Sequence, residues 1–425
     1  MLRNALRSLS HALPGSGIVA ICLFSTFQLF NPSTFFMFYL DYNATTPLCQ
    51  EALEAMLPWL QGNEGGYGNP SSIHAAGRRV RAAIDEARDE LAALLRVKSH
   101  EIIFISGGTE SDNLALLGLA RRHRLRGNHL ITAATEHHAV LHAMQFLRDY
   151  EGFDLTVLPV DQQGMIDPEQ LREALRPETI LVSMMVANNE TGVIQPIEKL
   201  SLLCHERGIL FHTDAVQSFG KLSCFPLELG VDAFSLASHK FYGPKGAGLL
   251  WLRSGVSINS IQHGGFQEGE RRPGTEDVAT IVGMAVAARV ALQEVLEGVE
   301  AVREQALRQE LWAGIHHLYP EAVRHGDPEK TLFNTLNVSF PHCDGETLLM
   351  ALDLEGVCVS SGSACMVGSI QASHVLQAMG VHKELAQATV RFSLGRQTTT
   401  NDIGGTLHAL SKVLERQTTS RSLQS

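Results

Sequence analysis

The stretch "GILFHTDAVQS", residues 208–218, begins with a mainly apolar run that ends at an acidic residue, Asp214. Further short runs rich in apolar or β-branched residues occur in the same part of the chain. They are "EIIFIS" (101–106), "HLITAA" (129–134), "LTVLPV" (155–160), "ILVSMMV" (180–186), "AFSLA" (233–237) and "GLLWLR" (248–253). Runs of this length and composition predict buried strands.

Helical patterns lie between several of these runs. One is the series Val80, Ile84, Ala87, Leu91 and Leu94, whose spacing is that of one helix face. Alternating strands and helices predict an α/β fold with a mostly parallel, seven-stranded sheet that is covered on both faces. Ligands of such sheets bind at the carboxyl ends of the strands.

A second, smaller α/β unit is predicted after a long linking helix near Gly283 to Arg308. Its strands are "TLNVSF" (335–340), "GVCVSS" (356–361) and "TVRFSLG" (389–395). We therefore expect five parts in the chain. These are an extension (1–36), a segment joining the small domain (37–50), a large domain (51–295), a small C-terminal domain (296–415) and a tail (416–425).

Composition excludes several classes of protein. The 44% hydrophobic and 19% charged residues are near globular averages, which argues against disorder and against a polytopic membrane protein. With 34 Lys plus Arg against 45 Asp plus Glu and no long basic run, nucleic acid is not an expected partner. The seven cysteines form no CxxC pair or zinc-type cluster, so a reduced, cytoplasmic setting fits best.

The N-terminus allows three interpretations. The run "IVAICLFSTFQLF" (18–30) follows Arg3 and Arg7, as in a signal peptide. It is short for a membrane span. The interpretation that we favour is that Met37 is the true start, because "FYLDYNATTP" directly after it already has the character of a folded enzyme. A removable signal or a membrane anchor is the alternative.

The motif "SGGTESDN", residues 106–113, follows the first predicted strand. Gly107 and Gly108 allow close backbone approach, and a helix that begins there would direct free N–H groups at an anion such as phosphate. The Thr109 hydroxyl adds a donor. A capped helix start without any ligand explains the same residues.

Two further residues lie at predicted strand ends. Asp214 ends one strand, and Lys240 in "SLASHKFYGPKGAG" follows another. A lysine at this edge forms a Schiff base when desolvation removes its proton. A Schiff-base lysine with a carboxylate for a pyridinium nitrogen is the pair that pyridoxal phosphate requires. The competing explanation for Lys240 is an ordinary surface lysine.

Cys365 lies in "SSGSACMVGS", residues 360–369, among small polar residues rather than apolar ones. Reactive cysteines occur in exposed loops of this kind, although an incidental cysteine in a Ser/Gly-rich turn would look the same.

The chain resembles the NifS/IscS-like cysteine desulfurases of the class V aminotransferase superfamily, which have pyridoxal-phosphate fold type I. The resemblance rests on motifs that follow one another from Leu40 to Arg396. They are "LDYNATTP", "GNPSSIH", "SGGTESDN", "TEHHAV", "NNETGV", "HTDAVQS", "SHKFYGPKG", "RRPGTED", "SSGSAC" and "RFSLGR".

The resemblance implies a role for each matching residue. Lys240 would hold pyridoxal phosphate as a Schiff base, Asp214 would pair with its ring nitrogen, and Gln217 would bond its phenolic oxygen. His137 would stack on the ring and move protons, with His138 as its rival, and Asn189 would also contact the ring. Around the phosphate would gather Gly108, Thr109, Ser238, His239 and, from a second subunit, Thr275. Asn69 and Arg391 would bind the substrate carboxylate.

The implied activity is removal of sulfur from L-cysteine, which gives L-alanine and a persulfide on Cys365. A homodimer is implied, as is a sulfur acceptor that is an iron–sulfur scaffold or a sulfur-relay protein. No resident metal is expected, although Cys365 would ligate a cluster transiently. The alternatives are a selenocysteine lyase and a non-catalytic assembly scaffold. One departure is Ala237, where the family often has a serine that contacts the phosphate, so Ser238 would have to compensate.

Overall fold

The structure, a computed structural model, describes residues 37–62, 66–361 and 372–422, and the side chains of the last helix as far as residue 416. The interpretations of residues 1–36 lie outside the described residues. So does Cys365, whose segment, 362–371, is not described.

The described residues form twelve strands. They are β1 (Phe38–Tyr39), β2 (Ile102–Ile105), β3 (His129–Ala133), β4 (Asp154–Leu158), β5 (Thr179–Ser183), β6 (Leu210–Asp214), β7 (Ala233–Ala237), β8 (Gly248–Leu252), β9 (Val323–His325), β10 (Thr335–Ser339), β11 (Val357–Cys358) and β12 (Thr389–Ser393).

The same residues form twelve α-helices. They are α1 (Gln50–Leu60), α2 (Ala75–Leu95), α3 (Gly108–His123), α4 (His138–Glu151), α5 (Pro168–Ala174), α6 (Ile197–His205), α7 (Val278–Glu297), α8 (Val299–Leu318), α9 (Gly345–Leu354), α10 (His374–Ala378), α11 (Lys383–Gln387) and α12 (Thr400–Ser422).

The largest sheet has seven strands in the order β2-β8-β7-β6-β5-β3-β4. Six of the strands run in one direction, and β8 alone runs antiparallel to them. Successive residues of a strand point to opposite faces, so Ile102 and Phe104 pack into one apolar core and Ile103 and Ile105 into another. The predicted mostly parallel sheet with two covered faces is therefore confirmed.

The helix predicted from Gly283 to Arg308 is two helices, and the expectation of one continuous helix is wrong. Gly298 lies between α7 and α8 with a φ of 69°, a left-handed conformation that ends α7 and that glycine adopts at little cost. By length and composition α7 is apolar enough to cross a membrane. More than half of its apolar window is buried, and it packs against α1 and α2, so it is a core helix of this fold.

The C-terminal part has its own sheet, with the antiparallel order β12-β10-β9. A separate apolar core lies there, formed by α8, α9, α12 and these strands, and Leu40 from the N-terminal segment belongs to it. The adjoining strand β1 pairs in parallel with β11. The domain boundaries given above stay a prediction.

Candidate active site

A cavity of about 560 Å³ lies at the carboxyl edge of the seven-stranded sheet, a volume within the usual range of small-molecule sites, about 300–1,000 Å³. Parallel strands β3, β5, β6 and β7 all end there, so the residues that follow them converge on one space. Nine of the predicted site residues line it. They are Gly108, Thr109, His137, Asn189, Asp214, Gln217, His239, Lys240 and Arg391.

Lys240 lies in a short 3₁₀ turn, Ser238–Lys240, directly after β7. Its Nζ donates to the main-chain carbonyls of Asn43, at 2.6 Å, and Ala44, at 2.8 Å. Burial lowers the pKa of Lys240 to about 8, and the Arg391 charge lowers it further while Asp214 opposes the shift. The amine is therefore much closer to its neutral, nucleophilic form than an exposed lysine is.

Asp214 ends β6 and is almost fully buried. Its Oδ1 accepts a hydrogen bond from the Val216 N–H at 2.8 Å, which fixes the carboxylate where the chain turns away from the sheet. Burial raises the pKa of Asp214 to about 6, against the opposing effects of this hydrogen bond and of Lys240. The carboxylate is charged at neutral pH, and a cationic or N–H partner in the cavity would stabilise this buried charge.

Two buried titratable residues, Asp112 and His212, lie near Asp214. Asp112 is buried, and its pKa lies well above the ordinary value because of burial and of the nearby Asp214 charge. His212 is also buried, with its pKa lowered to about 3 by desolvation, and its ring contacts the Ser183 and Ser235 hydroxyls. Both shifts disfavour a second charge beside the Asp214 carboxylate.

The N-terminus of α3 forms another part of the wall. Gly108 and Thr109 are its first two residues, and the N–H groups of a first helical turn have no acceptor within the helix. A side chain at position 108 would lie only 2.9 Å from Val216, so glycine lets the helix approach β6 closely. Ala237 also lines the cavity and lies beside Gly108.

His137 caps α4, and its Nδ1 accepts a hydrogen bond from the Ala139 N–H. Burial and then the Lys240 charge lower the pKa of His137 to about 4. The ring is consequently neutral at physiological pH, with its proton on Nε2. His138, the rival predicted from sequence, lines the cavity too, and its ring packs on His374 at 4.6 Å between centroids.

Arg391, in the middle of β12, reaches the cavity from the C-terminal sheet. Its Nη2 donates to Asp41 at 2.8 Å and its Nη1 to the Asn189 carbonyl at 2.9 Å. Its Nε is buried and has no hydrogen-bond partner among the described residues. The guanidinium is held in place by two contacts and retains an unused donor.

Three predicted residues do not reach this cavity within the described chain. The Ser238 hydroxyl is buried and packs over Gly243. A Cβ atom on residue 243 would lie 2.0 Å from Ser238 Oγ. Asn69 is exposed, and its Oδ1 accepts a hydrogen bond from the Ser71 N–H. Thr275 is exposed. A hydroxyl at 238 therefore does not replace the serine missing at Ala237 in this arrangement.

The described residues on either side of the Cys365 segment border the cavity. Ser360 pairs with Arg391 through the main chain, and both Ser360 and His374 line the cavity. Ser373 donates to the buried Glu190 at 2.5 Å, and the His374 ring contacts the Glu136 carbonyl. The described chain on each side of residues 362–371 thus borders the cavity.

Sequence reasoning missed Asn43, Glu190 and His374 as residues of the site. Asn43 contributes its main-chain carbonyl to Lys240, and a carbonyl carries no signal in the sequence. The signal that could have found Asn43 and Glu190 is their place in the motifs "LDYNATTP" and "NNETGV". Among the described residues, no cluster of three His, Cys, Asp or Glu side chains could hold a metal ion.

Comparison with known proteins gives a consistent set of relatives. The family model "Aminotransferase class-V" matches residues 38–405. A protein named cysteine desulfurase IscS from Dictyoglomus turgidum is 48% identical over 378 residues, which are 89% of this chain and 94% of that protein. Another of the same name, from Methanosarcina thermophila, is 44% identical over 89% of this chain and 92% of its own length.

Two solved structures of similar fold are compared with this chain. A NifS-like protein superposes with a TM-score of 0.83 at 38% identity and covers 89% of this chain and 99% of its own. The structure of SspA in complex with cysteine has a TM-score of 0.72 at 36% identity and covers 84% of this chain and 98% of its own.

Proposed function

This chain belongs to the class V aminotransferase family and is a pyridoxal-phosphate-dependent enzyme, and from this premise we propose that it is a cysteine desulfurase. It removes sulfur from L-cysteine and gives L-alanine and a persulfide on Cys365. The observation that carries the proposal is that Lys240, with a lowered pKa, and the buried carboxylate of Asp214 line one cavity.

The residues of the cavity fit pyridoxal phosphate. The free N–H groups at the start of α3 and the Thr109 hydroxyl suit a phosphate. Asp214, a buried carboxylate, suits a protonated ring nitrogen, and Lys240 is the amine that would hold the aldehyde. Gln217 offers an amide N–H to the phenolic oxygen, His239 adds to the phosphate end, and Asn189 and His137 border the ring.

When bound, the cofactor supplies an electron sink for the carbon from which a proton is removed. Lys240 Nζ is the base that takes the substrate Cα proton, because desolvation leaves a useful fraction of it neutral. His137 is neutral at physiological pH and holds a proton on Nε2, so this nitrogen can give up a proton and take one back during the reaction.

Arg391 is the carboxylate-binding residue of the proposal, with Asn69 as the second ligand. The guanidinium lines the cavity and keeps a buried Nε donor without a described partner. A rigid fork of donors suits a carboxylate. Asn69 is exposed in the described chain, so its contribution requires either a partner subunit at this surface or a shift of its loop.

Cys365 is the sulfur acceptor within the enzyme. Its thiolate forms a bond to the substrate sulfur, the carbon–sulfur bond of the substrate breaks, and the substrate carbon takes up a proton. L-cysteine and the enzyme thiol thus become L-alanine and the enzyme persulfide, with no atom or electron left over. The support from the structure is that Ser360 and His374, which flank the segment of Cys365, both line the cavity.

The remaining parts of the proposal concern partners and location. The enzyme is a homodimer in which Thr275 of one subunit binds the phosphate in the other, which is in keeping with the exposure of Thr275 in the single chain. The persulfide passes to an iron–sulfur scaffold or a sulfur-relay protein, where Cys365 ligates a cluster transiently. The reaction takes place in the cytoplasm.

The test is a product assay with L-cysteine and a thiol reductant, comparing the protein that starts at Met37 with three variants. The wild type should release alanine and sulfide in equal amounts. Cys365→Ala should release neither while it keeps the absorbance band of bound cofactor, and Lys240→Ala should lose the band. The matched control is Cys358→Ala, which removes a partly buried cysteine at the end of β11 and should stay near wild type.

Other results would select an alternative. Full activity of Cys365→Ala would exclude the persulfide step. A much higher kcat/KM for L-selenocysteine than for L-cysteine would indicate a selenocysteine lyase. Absence of the cofactor band from the wild type would indicate a non-catalytic scaffold, and sedimentation as a monomer would exclude the role of Thr275.

A further inference from the structure

A continuous series of hydrogen bonds connects Lys221 to Lys240. Lys221 Nζ donates to both the main-chain carbonyl and the side-chain Oε1 of Gln217, at 2.9 and 3.1 Å. Gln217 Nε2 in turn donates to the Asn43 carbonyl at 2.9 Å, the same oxygen that accepts from Lys240. Lys221 has no place in the proposed chemistry, yet it contacts a residue that has one.

These contacts fix the orientation of the Gln217 amide. An amide presents an acceptor on one side and two donors on the other, and an ammonium group presents donors alone. The donors of Lys221 on one side and the Asn43 carbonyl, which only accepts, on the other together place the Gln217 oxygen toward Lys221 and its NH₂ group toward Asn43 and the main cavity. With Oε1 engaged, Gln217 can only donate to a ligand in the main cavity.

A second cavity of about 30 Å³, which is enough for a water molecule, borders both Lys221 and Lys240. It is lined by Lys221, Glu304, Tyr242 and Arg396 among others. Burial lowers the pKa of Lys221 to about 7; the Lys240 and Arg391 charges lower it further, whereas Glu304 and Cys224 oppose the shift. The ammonium form, with donors alone, excludes the reverse orientation of the amide, and the neutral form keeps the two N–H groups that the contacts with Gln217 need.

We propose that Lys221 is a positioning residue: it holds the Gln217 amide so that its NH₂ group faces the main cavity and donates to the phenolic oxygen of pyridoxal phosphate. The inference rests on the proposed function, because it takes pyridoxal phosphate as the ligand of Gln217. Without Lys221, the Asn43 carbonyl alone holds the amide in this orientation, so the NH₂ group is held less firmly toward that phenolic oxygen.

The consequence is a change in the pH dependence of the bound cofactor. A donor at the phenolic oxygen stabilises the negative charge there and so favours the less protonated form of the bound cofactor. Removing the donor should move the midpoint of the pH-dependent absorbance change upward by about one pH unit, the size expected for a hydrogen bond to a charged group.

The experiment is a pH titration of the absorbance spectrum of the cofactor-loaded protein. Lys221→Met should shift the midpoint upward, and Lys221→Gln, which carries both a donor and an acceptor, should shift it in the same direction. Lys221→Arg keeps a group with donors alone and should restore the wild-type midpoint. The two shifting variants keep the test decisive where one of them fails to fold.

A double-mutant cycle separates positioning from a direct effect of the Lys221 charge. In a Gln217→Ala background, Lys221→Met should cause no further shift. An equal shift in that background, or no shift in either, would overturn the inference while leaving the proposed function intact. Absence of any cofactor band from the wild type would overturn both.

Discussion

The Asn43 carbonyl accepts hydrogen bonds from Lys240, at 2.6 Å, and from Gln217, at 2.9 Å. Its side chain contacts Thr335 and Asn334 of the C-terminal part and the Asn189 carbonyl beyond β5. One residue of the N-terminal segment thus links the lysine of the site to two different sheets. The geometry of Lys240 consequently depends on packing far from β7.

The lowered pKa of Lys240 predicts how the protein without cofactor takes up pyridoxal phosphate. Only the neutral amine attacks an aldehyde, so the uptake rate should rise with pH. With a pKa of about 8 it should level off just above pH 8, rather than near the ordinary lysine pKa of about 10.4. Stopped-flow absorbance after mixing would give the profile, and a rate that still climbs at pH 10 would contradict it.

Asp214→Asn should have opposite effects on activity and stability. Activity should fall roughly 100-fold or more, because the neutral amide no longer stabilises a protonated ring nitrogen. The cofactor-free protein should become more stable at pH 7, by about 1–3 kcal/mol. The sign follows because burial raises the pKa of Asp214 to about 6, so stability from this group is lost as pH rises through 6.

Denaturant unfolding of the cofactor-free proteins and turnover of the loaded ones would measure the two effects. A stability gain that largely disappears at pH 3.5, where Asp214 is mostly protonated in both the folded and the unfolded state, is the internal control. Unchanged turnover in Asp214→Asn would remove Asp214 from the proposed site.

Most of the sheet was predictable, because buried parallel strands are continuous apolar runs. The errors lie at strand ends. The run "ILVSMMV" predicted a strand over 180–186, whereas β5 is Thr179–Ser183. Met184, Met185 and Val186 are also buried, but after the strand has ended, so composition does not mark where pairing stops. β1 and β9, of two and three residues, are too short to give a pattern.

The site was predictable where a side chain follows a strand, as Asp214 and Lys240 do. It was not predictable where β7 passes into the turn that follows it, because the last strand residue and the first turn residue point in different directions. Ala237 lines the cavity, whereas the next residue, Ser238, packs over Gly243. Which of the two neighbouring side chains faces the ligand depends on the backbone angles of the turn, and these angles could not be predicted from the sequence.

Ala237→Ser should tighten the binding of pyridoxal phosphate. Residue 237 lies beside Gly108 at the start of α3, so a serine hydroxyl there would add a donor next to the free N–H groups. One added hydrogen bond of about 1 kcal/mol corresponds to roughly fivefold tighter binding. Equilibrium dialysis would measure the dissociation constant.

The matched control for this substitution is Ser238→Ala. Because the Ser238 hydroxyl lies against Gly243 and does not line the cavity, its removal should leave cofactor affinity near wild type. A large loss of affinity in Ser238→Ala, with no gain in Ala237→Ser, would reverse the assignment of the two positions.

Glu190→Gln should flatten the dependence of stability on pH between about 5 and 7. Glu190 is buried, and desolvation raises its pKa to about 7, although the Ser373 hydroxyl and the Arg391 charge oppose this. A carboxyl whose pKa is raised on folding contributes stability at low pH and loses it as pH rises through 7. The amide of glutamine does not titrate, so the variant should lack this loss.

Ser373→Ala should steepen the dependence of stability on pH, because it removes a hydrogen bond to the Glu190 carboxylate and costs about 1–3 kcal/mol at pH 7. Its control is Ser99→Ala. The Ser99 hydroxyl donates to Asp89 at an exposed site, so its removal should change stability by less than about 0.5 kcal/mol.

Chemical unfolding of the wild type and the three variants between about pH 5 and 7 would measure these differences, and parallel curves for wild type and Glu190→Gln would show that Glu190 does not titrate there. Because Ser373 follows the segment of Cys365 and Glu190 lines the cavity, a confirmed result would also make the charge of one buried carboxyl the link between the cavity and the end of that segment.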